Sequence, residues 1–497
     1  MENQLILFQE PQLEFRYSQT LSDPRNGLAL FGPYDADAPS KPSLNYVVLG
    51  TEEGISEFEV WSKAMNRPSL MAPGNNHRLW PPYPGYEAAF AREWPQKPVW
   101  TYKIDRNTLL RASRKKDAHE RAYEVVELFL EGFRRAKKLD ENIGVAVCVV
   151  PETVWKNCRT LSRVTDPIDK GLSAKRKQER KVGQMEMFEP ELDPLQYWHS
   201  PDFRRQLKAR SMEFQIPLQI IRETTLRLSD MKTQDQRDLT PLSDRMWNLG
   251  AALYYKCGGK PWRLVSAREG VCYIGIAFRR ADEGTACCAA QMFLNTGDGI
   301  VFLGEYGPWY SPKTNQFHLD KSAAAKLLDG VLKTYQELEG KELTEIFLHS
   351  RSTIDEDEFQ GFQEACPPNV RLVGVRVRQE ERWGTRLYRN GDMPIIRGSF
   401  WKLNEKSGFL WGSGFKPQLG TYDGWDVPRP LRIDVQYGDA PVERVAQDIL
   451  GLTKLNYNAC QLGDAEPVTV GFSDAVGEIL ISNPKVPVRS PNFKYYI

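Results

Sequence analysis

At 497 residues the chain is longer than a single hydrophobic core usually serves, and it suggests two or three domains. A composition of 41% hydrophobic and 26% charged residues is globular, and no run of about 18 uncharged apolar residues is present to span a bilayer. The balance of 66 basic against 65 acidic side chains excludes binding of a polyanion by bulk charge, so any such site has to be a local cluster.

The start, MENQLILFQEPQLEF, is no signal peptide, and a cytoplasmic location is expected. Residues 1–117 carry short apolar runs broken by prolines, tryptophans and glycines, as in RLWPPYPGYEAAF. One strand over Leu44 to Gly50 and the helical periodicity of EEGISEFEVWSKAM predict a small α+β region there. HERAYEVVELFLEGFRRAKK then predicts a helix with a basic exit, and IGVAVCVVPETVW a buried strand ending at Pro151, which is α/β architecture. The basic run KGLSAKRKQERK, Lys170 to Lys181, has no apolar face and reads as a solvated loop. The eight cysteines include no CxxC pair and read as reduced core residues.

In SPDFRRQLKARSM, Ser200 is the expected N-cap with Pro201 at the first helical position, and Arg204 and Lys208, four apart, share a face. The strand IPLQII carries Gln219, and a helix from about Leu242 to Lys256 runs into Gly258 and Gly259, a left-handed cap. VCYIGIAFRR, Val271 to Arg280, is a buried strand. A hairpin with its turn at Gly297 to Gly299, a helix, the strand LTEIFLHS and later strands and helices follow, the order of a ribonuclease-H-like core.

An Arg/Lys pair at i, i+4 is by itself usually a solvated face. Arg204, Lys208, Gln219 and NLGAALYYKCGG with Lys256 nevertheless occur in the order that resembles the guide 5′-phosphate pocket of the Argonaute family's MID domain. The resemblance implies an α/β chain: a Rossmann-like MID domain over 118–265, and a ribonuclease-H-like PIWI domain over 266–497. It further implies that Lys208 and Lys256 pair with phosphate, that Gln219 donates an amide hydrogen bond, and that Arg204 contacts the first nucleotide. The C-terminal carboxylate of Ile497 would enter the pocket with Mg²⁺, since two anions need an intervening charge. Lys454, Asn456 and Asn458, in LTKLNYN, resemble the segment that touches strand backbones.

The strand aspartates that hold catalytic metals in nuclease members are replaced here by Ala277 and Ser350, so the chain is expected to be no enzyme. His349 on the same strand end reads as structural or as a strand contact. The pattern resembles a short prokaryotic Argonaute. Such proteins are implied to bind guide RNA and target single-stranded DNA, and to form a heterodimer with an APAZ-containing effector, commonly a sirtuin-like or TIR NADase and sometimes a nuclease. NAD depletion and abortive infection would follow as antiviral defence. An active nuclease using displaced carboxylates such as Glu305, Asp355 and Asp474 is the alternative from another class, and a scaffold with a vestigial pocket is a third.

Overall fold

The computed structural model describes residues 4–70, 76–162, 164, 199–229, 239–280, 286–293, 299–311, 316–338, 342–381, 384–422, 424, 426–481, 483 and 486–497. The basic run at Lys170 to Lys181 and the hairpin turn before Gly299 lie outside them.

The first strand, β1 (Gln4–Leu7), does not belong to a separate N-terminal unit. It pairs antiparallel with a strand nearly 400 residues on, Leu5 opposite Trp401 and Leu7 opposite Ser399. Next, β2 (Leu13–Glu14) and β3 (Thr20–Leu21) make a small antiparallel sheet whose third member is also distant.

The strands β4 (Tyr46–Gly50), β5 (Trp100–Lys103), β6 (Val145–Val150) and β7 (Leu218–Arg222) form one all-parallel sheet in the order β5-β4-β6-β7. VAVCVV is buried along its whole length, as a strand covered on both faces must be. Helix α1 (Glu52–Met65), capped by the Thr51 hydroxyl accepting from Gly54 N–H, packs on one face. Helix α2 (Ala118–Ala136), capped by Asp117, packs Val125, Phe129 and Phe133 on the other. At Gly132 an added Cβ would stand 2.0 Å from Leu49 Cδ2, so only glycine lets α2 approach this closely. The short α3 (Glu152–Asn157) follows β6, α4 (Phe203–Ser211) joins the α2 layer, and α5 (Leu242–Lys256) joins the α1 layer. This corrects the expected boundary at residue 117, because β4, β5 and α1 complete the Rossmann-like sheet. Which sheet a strand joins is a non-local choice that its own residues do not express.

After β8 (Arg263–Leu264), which closes the small sheet, the second large sheet begins. Strands β9 (Val271–Arg280), β10 (Ala286–Phe293) and β11 (Gly299–Gly307) run antiparallel. The two-residue strands β12 (Tyr310–Ser311) and β13 (Gln316–Phe317) form a side ribbon before helix α6 (Lys321–Leu338). Strand β14 (Glu345–Ser350) returns parallel to β9, and after α7 (Glu356–Ala365) strand β15 (Arg371–Gln379) lies parallel to β14. With β16 (Ser399–Asn404), β17 (Ser407–Leu410) and β18 (Leu431–Tyr437) the order is β1-β16-β17-β18-β15-β14-β9-β10-β11, which contains the ribonuclease-H-like core.

Helices α6 and α7 cover one face of this sheet, and α8 (Val442–Leu452) and α9 (Val468–Ile481) the other. Helix α9 sits directly on β9, for a Cβ at Gly275 would meet the Thr469 carbonyl oxygen at 1.9 Å. The C-terminal segment then crosses between the two sheets. Val301 N–H donates to the Pro491 carbonyl at 2.7 Å, and Phe493 packs edge-on against Phe293 and Phe472.

Candidate nucleic-acid interface

Asp202, not Ser200, caps α4: its Oδ1 accepts from the N–H groups of Arg204 and Arg205 at 3.0 and 3.2 Å, while Ser200 Oγ accepts from Asp202 N–H. A carboxylate wins this position because it also binds Arg159 Nε at 2.7 Å, which a serine hydroxyl could not neutralise. From α4, Lys208 turns inward, only 4% exposed, and its Nζ donates to the Tyr496 carbonyl at 2.8 Å. Lys256, in the last turn of α5 before Gly258 at φ +97, is 1% exposed, and its Nζ donates to the terminal carboxylate of Ile497 and, at 3.3 Å, to the Lys494 carbonyl.

The terminus is therefore a packed element. Tyr495, Tyr496 and Ile497 are buried, the Tyr495 hydroxyl donates to the Gln215 carbonyl at 3.1 Å, and the Tyr496 hydroxyl to the Ser490 carbonyl at 2.8 Å. Gln215 offers that carbonyl from a left-handed backbone, φ +56.

Burial, then the neighbouring Arg204 and Lys256, hold the Lys208 ammonium well below the usual lysine range. Burial, then Arg204 and Lys494, pull Lys256 down to about 7. Arg204, lowered by burial and then by Arg159, makes no hydrogen bond or ion pair through its guanidinium among the described residues. Arg204, Lys208 and Lys256 thus crowd one region in which Lys256 alone of the three is bonded to the Ile497 oxygen, and a dianion entering here would find convergent donors.

Gln219 lines an adjoining cleft of about 340 Å³ with Trp155, Arg222, Arg245, Asn248 and Asn458. Its Nε2 makes only a 3.3 Å contact to the Ile220 carbonyl, and its buried Oε1 has no partner. Asn248 and Ala252 of the cleft lie eight and four residues before Lys256, on one stripe of α5 that leads from the cleft toward the buried lysines. Trp155, with Arg159 and Arg222 over its ring at 4.5 and 5.1 Å, was not singled out in the sequence. Its place just past a buried parallel strand, where open α/β sheets bind ligands, was the available signal. Lys494 was missed as well, since three residues from a terminus no periodicity marks it.

Of the residues expected to touch strand backbones, Lys454 is corrected by its surroundings. Its side chain is 0% exposed, paired with Glu10 at 2.8 Å, and donates to the carbonyls of Ser22 and Leu462. Asn456 is also committed, donating to Asp464 Oδ2 at 2.8 Å and accepting from Asn458 N–H. Asn458 alone of the three faces the cleft.

Ala277 is buried beneath α9, where a Cβ added to Gly477 would lie 3.8 Å from its own. Ser350 pairs in register with Ile276, and its hydroxyl accepts from Ser352 N–H at 3.1 Å. Asp474 is held by Arg279 at 3.0 Å and Arg351 at 3.4 Å, and Asp355 Oδ1 caps α7 by accepting from Glu358 N–H. Glu305 lies on β11, but its side chain is outside the described residues. His349 is buried, bonded through Nδ1 to Thr469 Oγ1 at 2.9 Å, and burial pulls it down to about 3, so it stays neutral and structural.

No protein-family model matches the chain. It is similar to the protein argonaute of Aquifex aeolicus (strain VF5), 22% identical over 316 residues that cover 62% of this chain and 40% of that protein. The structure of Clostridium butyricum Argonaute bound to a guide DNA and a 19-mer target DNA superposes with a TM-score of 0.61 at 14% identity, covering 100% of this chain and 55% of that one. A structure of Aa-Ago with externally bound siRNA gives 0.58 at 17% identity, covering 98% and 55%. The chain therefore has the α/β fold of Argonaute structures and spans about half the length of the relatives it matches. Among the described residues no helix is long and apolar enough to cross a membrane.

Proposed function

We propose that this chain holds the 5′-phosphorylated end of a guide strand, senses a complementary target, and does not cut strands itself. The observation that carries the reading is the convergence of Lys208 and Lys256 on the chain's own terminus, beside the Gln219 cleft. Lys208, held by a neutral peptide carbonyl, and Lys256 are buried near each other and near Arg204, and a phosphate dianion would compensate their charge. That the structures sharing this fold hold a guide and target DNA, or an siRNA, supports a nucleic-acid strand as the ligand.

In this reading Lys208 and Lys256 donate charge-assisted hydrogen bonds to the phosphate, Gln219 turns its amide from the Ile220 carbonyl to the strand, and Arg204 meets the first nucleotide. Asn458 touches the strand backbone at the cleft. Mg²⁺ is proposed as a structural ion. The Ile497 carboxylate is a hard oxygen donor that fits it and would hold it with the phosphate. When bound, the ion supplies charge between two anions.

The guide is proposed to be RNA and the target single-stranded DNA. The partner is proposed to be an APAZ-fused effector, a sirtuin-like or TIR NADase, in a cytoplasmic heterodimer whose activation depletes NAD and aborts infection. This partner and outcome rest on the resemblance to short prokaryotic Argonautes. Ala277 and Ser350 support the non-cutting part. The nuclease alternative fits less well, since Asp474 is tied to two arginines.

The test is to extract and sequence nucleic acid from the purified protein, alone and co-expressed with its neighbouring gene product. Short strands with a uniform 5′ end are expected. A preparation free of nucleic acid in both cases overturns guide holding, and metal-dependent cleavage of a matched target by this chain alone overturns the non-cutting part.

A further inference from the structure

On the α6/α7 face of the large sheet, opposite the face where Ala277 meets α9, the chain leaves β13 at His318 and reaches α6 past the N-terminus of α7. Asp355 caps α7 there, and Glu358 of its first turn ties the incoming chain to it. Asp355 Oδ1 accepts from Glu358 N–H at 2.8 Å, and Glu358 Oε1 accepts from Leu319 N–H at 3.3 Å. Each carboxylate thus spends one oxygen on backbone and keeps the other. Those two oxygens, Asp355 Oδ2 and Glu358 Oε2, stand 3.4 and 3.8 Å from His318 Nδ1, and all three atoms lie within 4.8 Å of one another.

Two further features point to a ligand. The Glu358 side chain is 3% exposed, and among the described residues His318 is the one cation-forming group beside its carboxylate. A buried carboxylate needs full compensation. Meanwhile His318 Nδ1 is itself buried and makes no hydrogen bond of good geometry, standing instead in ion-pair range of both carboxylates. The separations exceed those of good N–H···O bonds, about 2.7–3.2 Å. They are close to the edges of a coordination polyhedron whose ligands lie about 2.0–2.2 Å from a metal.

We propose that His318 Nδ1, Asp355 Oδ2 and Glu358 Oε2 bind a divalent transition metal, Zn²⁺ or Mn²⁺, with water completing the shell on the more exposed Asp355 side. The mixed nitrogen and oxygen donors select these ions over Mg²⁺ and Ca²⁺, which take all-oxygen shells. The ion pins the β13–α6 connection to the start of α7. It is independent of the lysine pocket, which is built on α4 and α5, so failure of either reading leaves the other standing.

The experiment strips the full chain with a chelator and titrates it with Zn²⁺ against a chromophoric competitor, and with Mn²⁺ by electron paramagnetic resonance. His318→Gln, Asp355→Asn and Glu358→Gln are the variants, the last two keeping the capping contacts. Wild type is expected to bind one more ion per chain than the His318→Gln/Glu358→Gln double variant. Each single variant is expected to lose at least about tenfold in affinity, and excess Mg²⁺ not to compete. X-ray absorption on zinc-loaded wild type, which needs no variant to fold, should show a nitrogen and oxygen shell with one imidazole. Equal ion counts in wild type and double variant, or sulfur in that shell, overturn the proposal and leave an internal ion pair only.

Discussion

Lys208 and Lys256 are ammonium groups withdrawn from water into a region of like charge, and this has two measurable consequences. Lys208→Ala or Lys256→Ala should weaken binding of a 5′-phosphorylated strand by about 1–3 kcal/mol and affect a 5′-hydroxyl strand less, since each removes a charge-assisted hydrogen bond. Fluorescence anisotropy with the two strands checks it, and equal losses would falsify the assignment. The second consequence is a pH dependence. The dianion raises ammonium pKa values that burial and neighbouring cations hold down, so binding takes up protons between the free and bound values. Affinity for the 5′-phosphorylated strand should therefore fall as pH rises above about 7, where Lys256 of the free protein loses its proton, by up to about tenfold per unit, with a 5′-hydroxyl strand nearly flat. That Arg204 and Lys208 stand one turn apart on one helix was legible because i, i+4 spacing survives any packing, and the strand of Gln219 and the helix of Lys256 were legible from their own periodicity. Lys454 was misread because nothing within LTKLNYN announces that Glu10, over 400 residues earlier, is its partner.

Elements were more legible than their neighbours. VAVCVV and VCYIGIAFRR are strands as expected, and Leu242–Lys256 is the helix that Gly258 ends. The cap of α4 shifted from Ser200 to Asp202 because Arg159 rewards a charge there, and Arg159 arrives from another element. Contact between α9 and β9 was invisible for the same reason. With the Thr469 carbonyl 1.9 Å from where a Cβ would stand, Gly275→Ala must push α9 off the strand. It should cost about 1–3 kcal/mol, read as a lower midpoint in chemical denaturation. An unchanged midpoint would show that α9 shifts freely.

At the scale of the molecule, Glu10 joins the two ends of the chain. Its 7% exposed carboxylate contacts Arg397 at 3.0 Å and Lys454 at 2.8 Å, cations that are 1% and 0% exposed. Glu10→Gln leaves both cations undercompensated and should destabilise by about 3–5 kcal/mol, measured by denaturant unfolding at neutral pH. Despite the cost of burial, the two cations hold the Glu10 carboxyl below its usual range. Its contribution is thus present above the unfolded pKa of about 4.3 and is lost as pH falls through the folded one. A Glu10→Gln variant as stable as wild type would show that the network is dispensable. By itself the sequence determined many of the strands and helices, the cationic residues in their order, and the strands on which Ala277 and Ser350 stand, because periodicity and residue chemistry are local. Only the tertiary structure decided that residues 46–103 complete the first sheet, that β1 edges the second, and that the terminus is buried between two lysines. Those outcomes depend on contacts between residues hundreds of positions apart, where burial and pairing energies are set by the partner and not by the segment.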